Sequence, residues 1–105
     1  MVKQSVGVEL KRLIELFNER KDAFLAAPET PELQIRLLNV AEALCGYIYA
    51  HNAQIVKVLA EKNIRGRDVL SLQFALNGLA QNHNLERTTL TKVSAQLLIL
   101  QNYFE

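Results

Sequence analysis

The sequence predicts an all-α fold, a compact antiparallel bundle of four to five helices forming one domain over residues 1–105. Three observations predict it. Apolar residues recur three, four or seven positions apart along nearly the whole chain, the period of a helix with one buried face. Turn-forming residues interrupt that period around Pro28–Pro31, Asn63–Gly66 and Asn82–Asn84. No stretch alternates apolar and polar residues as a half-buried strand does. Half of the residues are hydrophobic and 22% are charged, which suits a folded domain rather than a disordered chain.

The first segment places Val6, Leu10, Leu13, Phe17 and Phe24 on one stripe, with Glu9, Lys11, Arg12, Glu15, Glu19, Lys21 and Asp22 mostly off it. This is an amphipathic helix of about six turns. Pro28-Glu29-Thr30-Pro31 ends it and starts the next. Thr30 is placed to cap, Pro31 suits the first helical position, and Glu32 favours the positive end of the helix dipole.

The second stripe runs Ile35, Leu37, Leu38, Ala41, Leu44, Ile48, His51, Ile55 and Leu59. Unbroken from Pro31 to Lys62, it would be about 48 Å long at 1.5 Å per residue. A domain of this size has a radius of gyration of about 13 Å. Such a helix either breaks or projects into a dimer. Gly46 and the pair His51-Asn52 are the candidate break points, and a kink or break near residues 50–52 is the expectation.

Asn63-Ile64-Arg65-Gly66 reads as a helix end, with Gly66 suited to a left-handed conformation. A third main segment carries Val69, Leu72, Leu76 and Leu79 and ends at Asn82-His83-Asn84. The last helix begins near Glu86 to Thr89 and carries Leu90, Val93, Leu97, Leu100 and Phe104.

Charge is distributed unevenly. Residues 1–68 hold 19 of the 23 charged side chains, and residues 69–105 keep only Glu86, Arg87, Lys92 and Glu105. Amides and hydroxyls fill the polar positions there, among them Gln73, Asn77, Gln81, Ser94, Gln96 and Gln101. Interface cores are depleted in Lys, Glu and Asp in this way. The last helix adds Leu98, Ile99 and Tyr103 outside its main stripe, which widens its apolar arc. The expected interface is therefore Leu97, Leu98, Ile99, Tyr103 and Phe104, and the expected partner is a second copy of the chain, another protein, or both.

A second expectation concerns DNA. A helix-turn-helix needs a small residue where its helices cross, a turn residue tolerant of positive φ, and apolar anchors for the recognition helix. Over about residues 69–101, Ala80 supplies the first, Asn84 stands at the turn, and Leu85, Leu90 and Val93 have the anchor spacing. Thr89, Thr91 and Lys92 resemble the polar positions that bacterial repressors and Fis-like proteins present to DNA. The resemblance covers about 15 residues, with His83 where an apolar residue is usual. It implies a small transcriptional regulator in which Arg87, Thr88, Thr91 and Lys92 face the duplex. Arg65 and Arg67 would extend the patch with Arg87 and Lys92.

Other chemistry is thinly represented. Leu13 to Arg20 resembles the first helix of helical chorismate mutases, but the later acidic-then-Arg-Glu signature of those enzymes is not in the sequence. His51 and His83 have no second histidine or carboxylate three or four residues on, the spacing a helical metal site uses. Cys45 is the single cysteine, so no intramolecular disulfide can form, and a small buried thiol is its default role. Gly7, Gly46, Gly66 and Gly78 form no phosphate loop. Tyr47 and Tyr49 point to different sides of the second helix. The net charge of +1 supplies no global field to attract nucleic acid, anionic membrane or acidic substrates. The N-terminal residues lack the apolar run of a signal peptide, and no apolar stretch approaches the roughly 20 residues of a membrane span. The sequence thus leads to the expectation of a cytoplasmic, non-enzymatic interaction or regulatory protein, with no cofactor, no metal and no small-molecule substrate.

Overall fold

A computed structural model describes residues 2–62, 67–82 and 85–103. The helix ends read at 63–66 and 83–84, and Phe104, lie outside the described residues. Five helices and no strand occur among those described: α1 (Val2–Ala26), α2 (Pro31–Ala50), α3 (Asn52–Glu61), α4 (Arg67–Asn82) and α5 (Arg87–Asn102).

The four longer helices close a ring. α1 packs against α2 and α5, and α4 packs against α2 and α5 on the other side. Chain direction alternates around it. Leu59, Val69 and Leu72 share a cleft with Gln96, Leu100 and Tyr103, so the end of α5 returns to the start of α4. α3 lies at that end: Leu59 lines the cleft, and Lys62, just after α3, donates to the Tyr103 carbonyl. The bundle measures 43 × 24 × 20 Å with a radius of gyration of 13.5 Å. At 1.5 Å per residue, α1 alone is about 37 Å long and spans most of the long axis.

The break in the second stripe falls at His51. The backbone there has φ −111° and ψ 20°, outside the α-helical well, and separates α2 from α3. Hydrogen bonding continues across the bend: the His51 amide donates to Tyr47 O at 3.0 Å, and the Ile55 amide donates to His51 O at 3.0 Å. An unbroken helix of about 48 Å would have overrun the 43 Å long axis of the whole bundle. Bending lets Ile55 and Leu59 join the same core as Leu44 and Ile48.

Each helix gives most of its periodic stripe to one core, while Ile35 stays exposed and Leu38 and His51 are only partly buried. Leu10, Ile14 and Phe17 from α1 meet Leu37, Leu44 and Ile48 from α2, Leu72, Leu76 and Leu79 from α4, and Leu90, Val93 and Leu97 from α5. No polar or charged residue is buried among the described residues. Thr30 precedes α2 with Pro31 at its first turn, but the Thr30 hydroxyl makes no cap bond. The amides of Leu33 and Gln34 already donate to the Thr30 carbonyl at 3.2 and 3.3 Å, so a donor the hydroxyl would take is in use.

One polar link ties α1 to α5. Lys21 Nζ donates to Ser94 Oγ at 3.2 Å, and the Ser94 hydroxyl donates to Asn18 Oδ1. All three groups are partly buried, so the link sets the height of α5 against α1 while the apolar contacts around it supply non-directional attraction.

Candidate interaction surface

The α4 helix presents two faces with different fates. Val69, Leu72, Leu76 and Leu79 are buried, whereas Leu70 and Phe74 point outward and are 53% and 69% exposed. On α2, Tyr49 lies 76% exposed. Tyr49, Leu70 and Phe74 rim a groove of about 520 Å³ between α2 and α4, with Cys45 and Gly46 also lining it. A Cβ at Gly46 would meet no heavy atom within 4 Å, so the space above this wall is open. From Val69 to Asn82 the helix carries no charge, and among the described residues Glu42 is the sole charged one lining the groove.

Cys45 is half-buried beside this groove, its thiol 3.7 Å from the Gln73 carbonyl. Burial pushes the thiol pKa above the ordinary range, so the neutral form is held. Tyr47 turns the other way, half-buried with its ring 4.3 Å from that of His51. Its phenol is also shifted upward, by burial first and then by the carboxylate of Glu9 on α1.

A smaller cleft of about 240 Å³ lies between the start of α4 and the end of α5. Ser71 and Ile99 both line it, so the exposed faces of α4 and α5 adjoin there. Leu98 and Ile99 stand outward on α5, each just over half exposed. Tyr49, Leu70 and Phe74 thus share the α2–α4 groove, and Ile99 lines the separate α4–α5 cleft. Val8 and Ile35, exposed on α1 and α2, sit instead in charge-rich sequence.

The expected interface residues are distributed as follows. Leu98 and Ile99 are on the surface. Leu97 is fully buried in the core and offers no side-chain area to a partner, because its position on the α5 stripe points it at α1 and α4. Tyr103 is half-buried, and its carbonyl accepts a hydrogen bond from Lys62 Nζ. Phe104 lies outside the described residues. Leu70 and Phe74 were not among the expected site residues. Their sequence signal is a pair of large apolar residues four apart, off the 69–72–76–79 stripe, in a charge-free segment.

Arg87, Thr88, Thr91 and Lys92 are all exposed on the first turns of α5, and Leu90 and Val93 are buried at the anchor positions. The relation of α4 to α5 differs from a helix-turn-helix, however. The start of α4 and the end of α5 line one cleft, so these 16-residue helices run back along each other. A helix-turn-helix crosses at about 90–120°, which would carry those far ends apart.

The opposite side of the bundle is charge-rich and internally compensated. Arg12, Arg20 and Arg36 line a shallow depression between α1 and α2. Arg12 donates to both carboxylate oxygens of Glu9, at 2.8 and 2.7 Å, and holds that carboxyl below its usual range. Arg36 pairs with Glu32 one turn away. Two of these three guanidiniums are therefore committed within their own helices.

No protein-family model, curated protein or solved structure matches the chain. Among the described residues, no group of three or more His, Cys, Asp or Glu side chains is placed to hold a metal ion. No described helix is long and apolar enough to cross a membrane.

Proposed function

We propose that this chain is a non-enzymatic helical interaction protein that self-associates through its charge-poor side. The observation that carries this reading is the gathering of Tyr49, Leu70 and Phe74, each more than half exposed, around one groove between α2 and α4. Scattered exposed apolar residues are ordinary on a monomer, but several large ones around one groove mark an interaction site. Helix-on-helix burial is the mechanism. Apolar side chains leave water, and amides such as Asn77 and Gln81 offer both donor and acceptor to a partner. The DNA reading is not adopted, because α4 and α5 form an antiparallel hairpin and α5 adds no cation to Arg87 and Lys92.

Light scattering coupled to size exclusion over a concentration series tests the proposal. The expected mass rises from the chain mass of 11.9 kDa toward twice that value as concentration increases. A mass fixed at that of one chain up to high concentration overturns it.

A further inference from the structure

Resting on that reading of self-association, we infer that the two copies meet through α4, each copy's α4 lying antiparallel in the other's α2–α4 groove, with Phe74 at the two-fold axis. The occupant is a second copy because of the charge and shape of the face.

In an isologous contact, a residue near the axis faces its own counterpart. A charged side chain there would meet a like charge, so a face built for its own copy must be neutral near the axis. The α4 helix meets that condition from Val69 to Asn82. Its polar positions Asn77 and Gln81 are amides, which carry both donor and acceptor and so can pair with an identical group. Among the described residues lining the groove, a partner of different composition would find no charge to select it except Glu42.

The spacing supplies the shape. Leu70, Phe74, Asn77 and Gln81 follow the four–three–four interval that keeps a stripe facing a neighbouring helix. With Phe74 on the axis, Leu70 of one copy falls opposite the hole bounded by Phe74, Asn77, Gly78 and Gln81 of the other. Gly78 leaves that hole open: a Cβ there would have no heavy atom within 4 Å. A large exposed residue and a vacant position thus lie four residues either side of Phe74 on one helix, which is what a two-fold knob-into-hole contact requires.

Crosslinking separates this arrangement from one centred on α5. In a Cys45→Ser background, Asn77→Cys and Ala95→Cys each place a single thiol on an exposed position of α4 or α5. In the inferred pairing, the two copies of position 77 lie across the axis from each other, offset by about 9 Å along the helices and on the same face of the helix pair. A short bis-maleimide is expected to convert the Asn77→Cys protein to covalent dimer and to leave Ala95→Cys mainly monomeric. Phe74→Glu, which brings two carboxylates together at the axis, is expected to weaken the dimer by about 100-fold or more, and Leu98→Glu to leave it near wild type. A protein that scatters as a dimer but crosslinks through Ala95→Cys, and dissociates with Leu98→Glu rather than Phe74→Glu, overturns the inference and leaves self-association standing. A chain that scatters as a monomer overturns both.

Discussion

Phe74 and Leu76 lie two residues apart on α4 in opposite surroundings, one 69% exposed and the other fully buried. Substitution separates what each does. Leu76→Ala removes three buried carbons from a closed core and is expected to lower the unfolding free energy by about 2–5 kcal/mol in urea titration. Phe74→Ala, measured on dilute monomer, is expected to stay within about 0.5 kcal/mol of wild type, since it leaves no cavity. Equal losses at the two sites would contradict the assignment of core and surface. Cys45 gives a residue-scale test of a different kind. Burial favours its neutral thiol, so this group's contribution to stability is present below the ordinary thiol pKa of about 8.5 and is lost as pH rises through the raised native value. Iodoacetamide should accordingly modify Cys45 in the folded protein more slowly than a free cysteine at the same alkaline pH; equal rates would place the thiol in open water. The exposure of Leu70 and Phe74 was hard to read in sequence, because the buried stripe 69–72–76–79 already explains the helix. Leu97 was misplaced for the converse reason. A helix with bundle neighbours on two sides buries a wide apolar arc, and the width alone does not say where the core stops and the surface begins.

At the scale of elements, the sequence carried most of the structure. Apolar spacing located the buried stripes of the helices. A length comparison called for a break or a projection into a dimer, with Gly46 and His51-Asn52 as candidate points, and the break falls at His51. The capping role of Thr30 was not legible, because whether a hydroxyl or a carbonyl takes the first free amides depends on local backbone geometry. Thr30→Ala is therefore expected to cost only a few tenths of a kcal/mol by thermal or urea unfolding, below the ~1 kcal/mol of a working cap. A loss of that full size would show that the hydroxyl caps after all. The Lys21–Ser94–Asn18 link is the contrasting case. No local pattern joins residues more than 70 positions apart, so it was invisible in sequence. Ser94→Ala leaves both Lys21 and Asn18 without their shared partner and is expected to destabilise by about 1–3 kcal/mol in the same assay. An unchanged midpoint would mean that water replaces the hydroxyl at no cost.

The whole molecule divides by charge. α1 and the start of α2 carry acids and bases that pair within their helices, as Glu9 does with Arg12 and Glu32 with Arg36. The other side, over α4 and the end of α5, has amides and exposed apolar groups instead. Charge placement alone revealed this asymmetry in the sequence; the tertiary fold was needed to show that α2 supplies Tyr49 and the wall of a groove. An association through that side should respond weakly to salt, because screening acts on charges that the face lacks. Binding led by Arg87 and Lys92 to phosphates would instead fall steeply as salt rises. The most direct measurement is sedimentation equilibrium of the wild-type chain and of Phe74→Glu at matched concentrations, in low and moderate salt. The expected result is a wild-type dimer in both salts and a folded Phe74→Glu monomer. A wild-type chain that remains at 11.9 kDa at every concentration would contradict self-association through the charge-poor side.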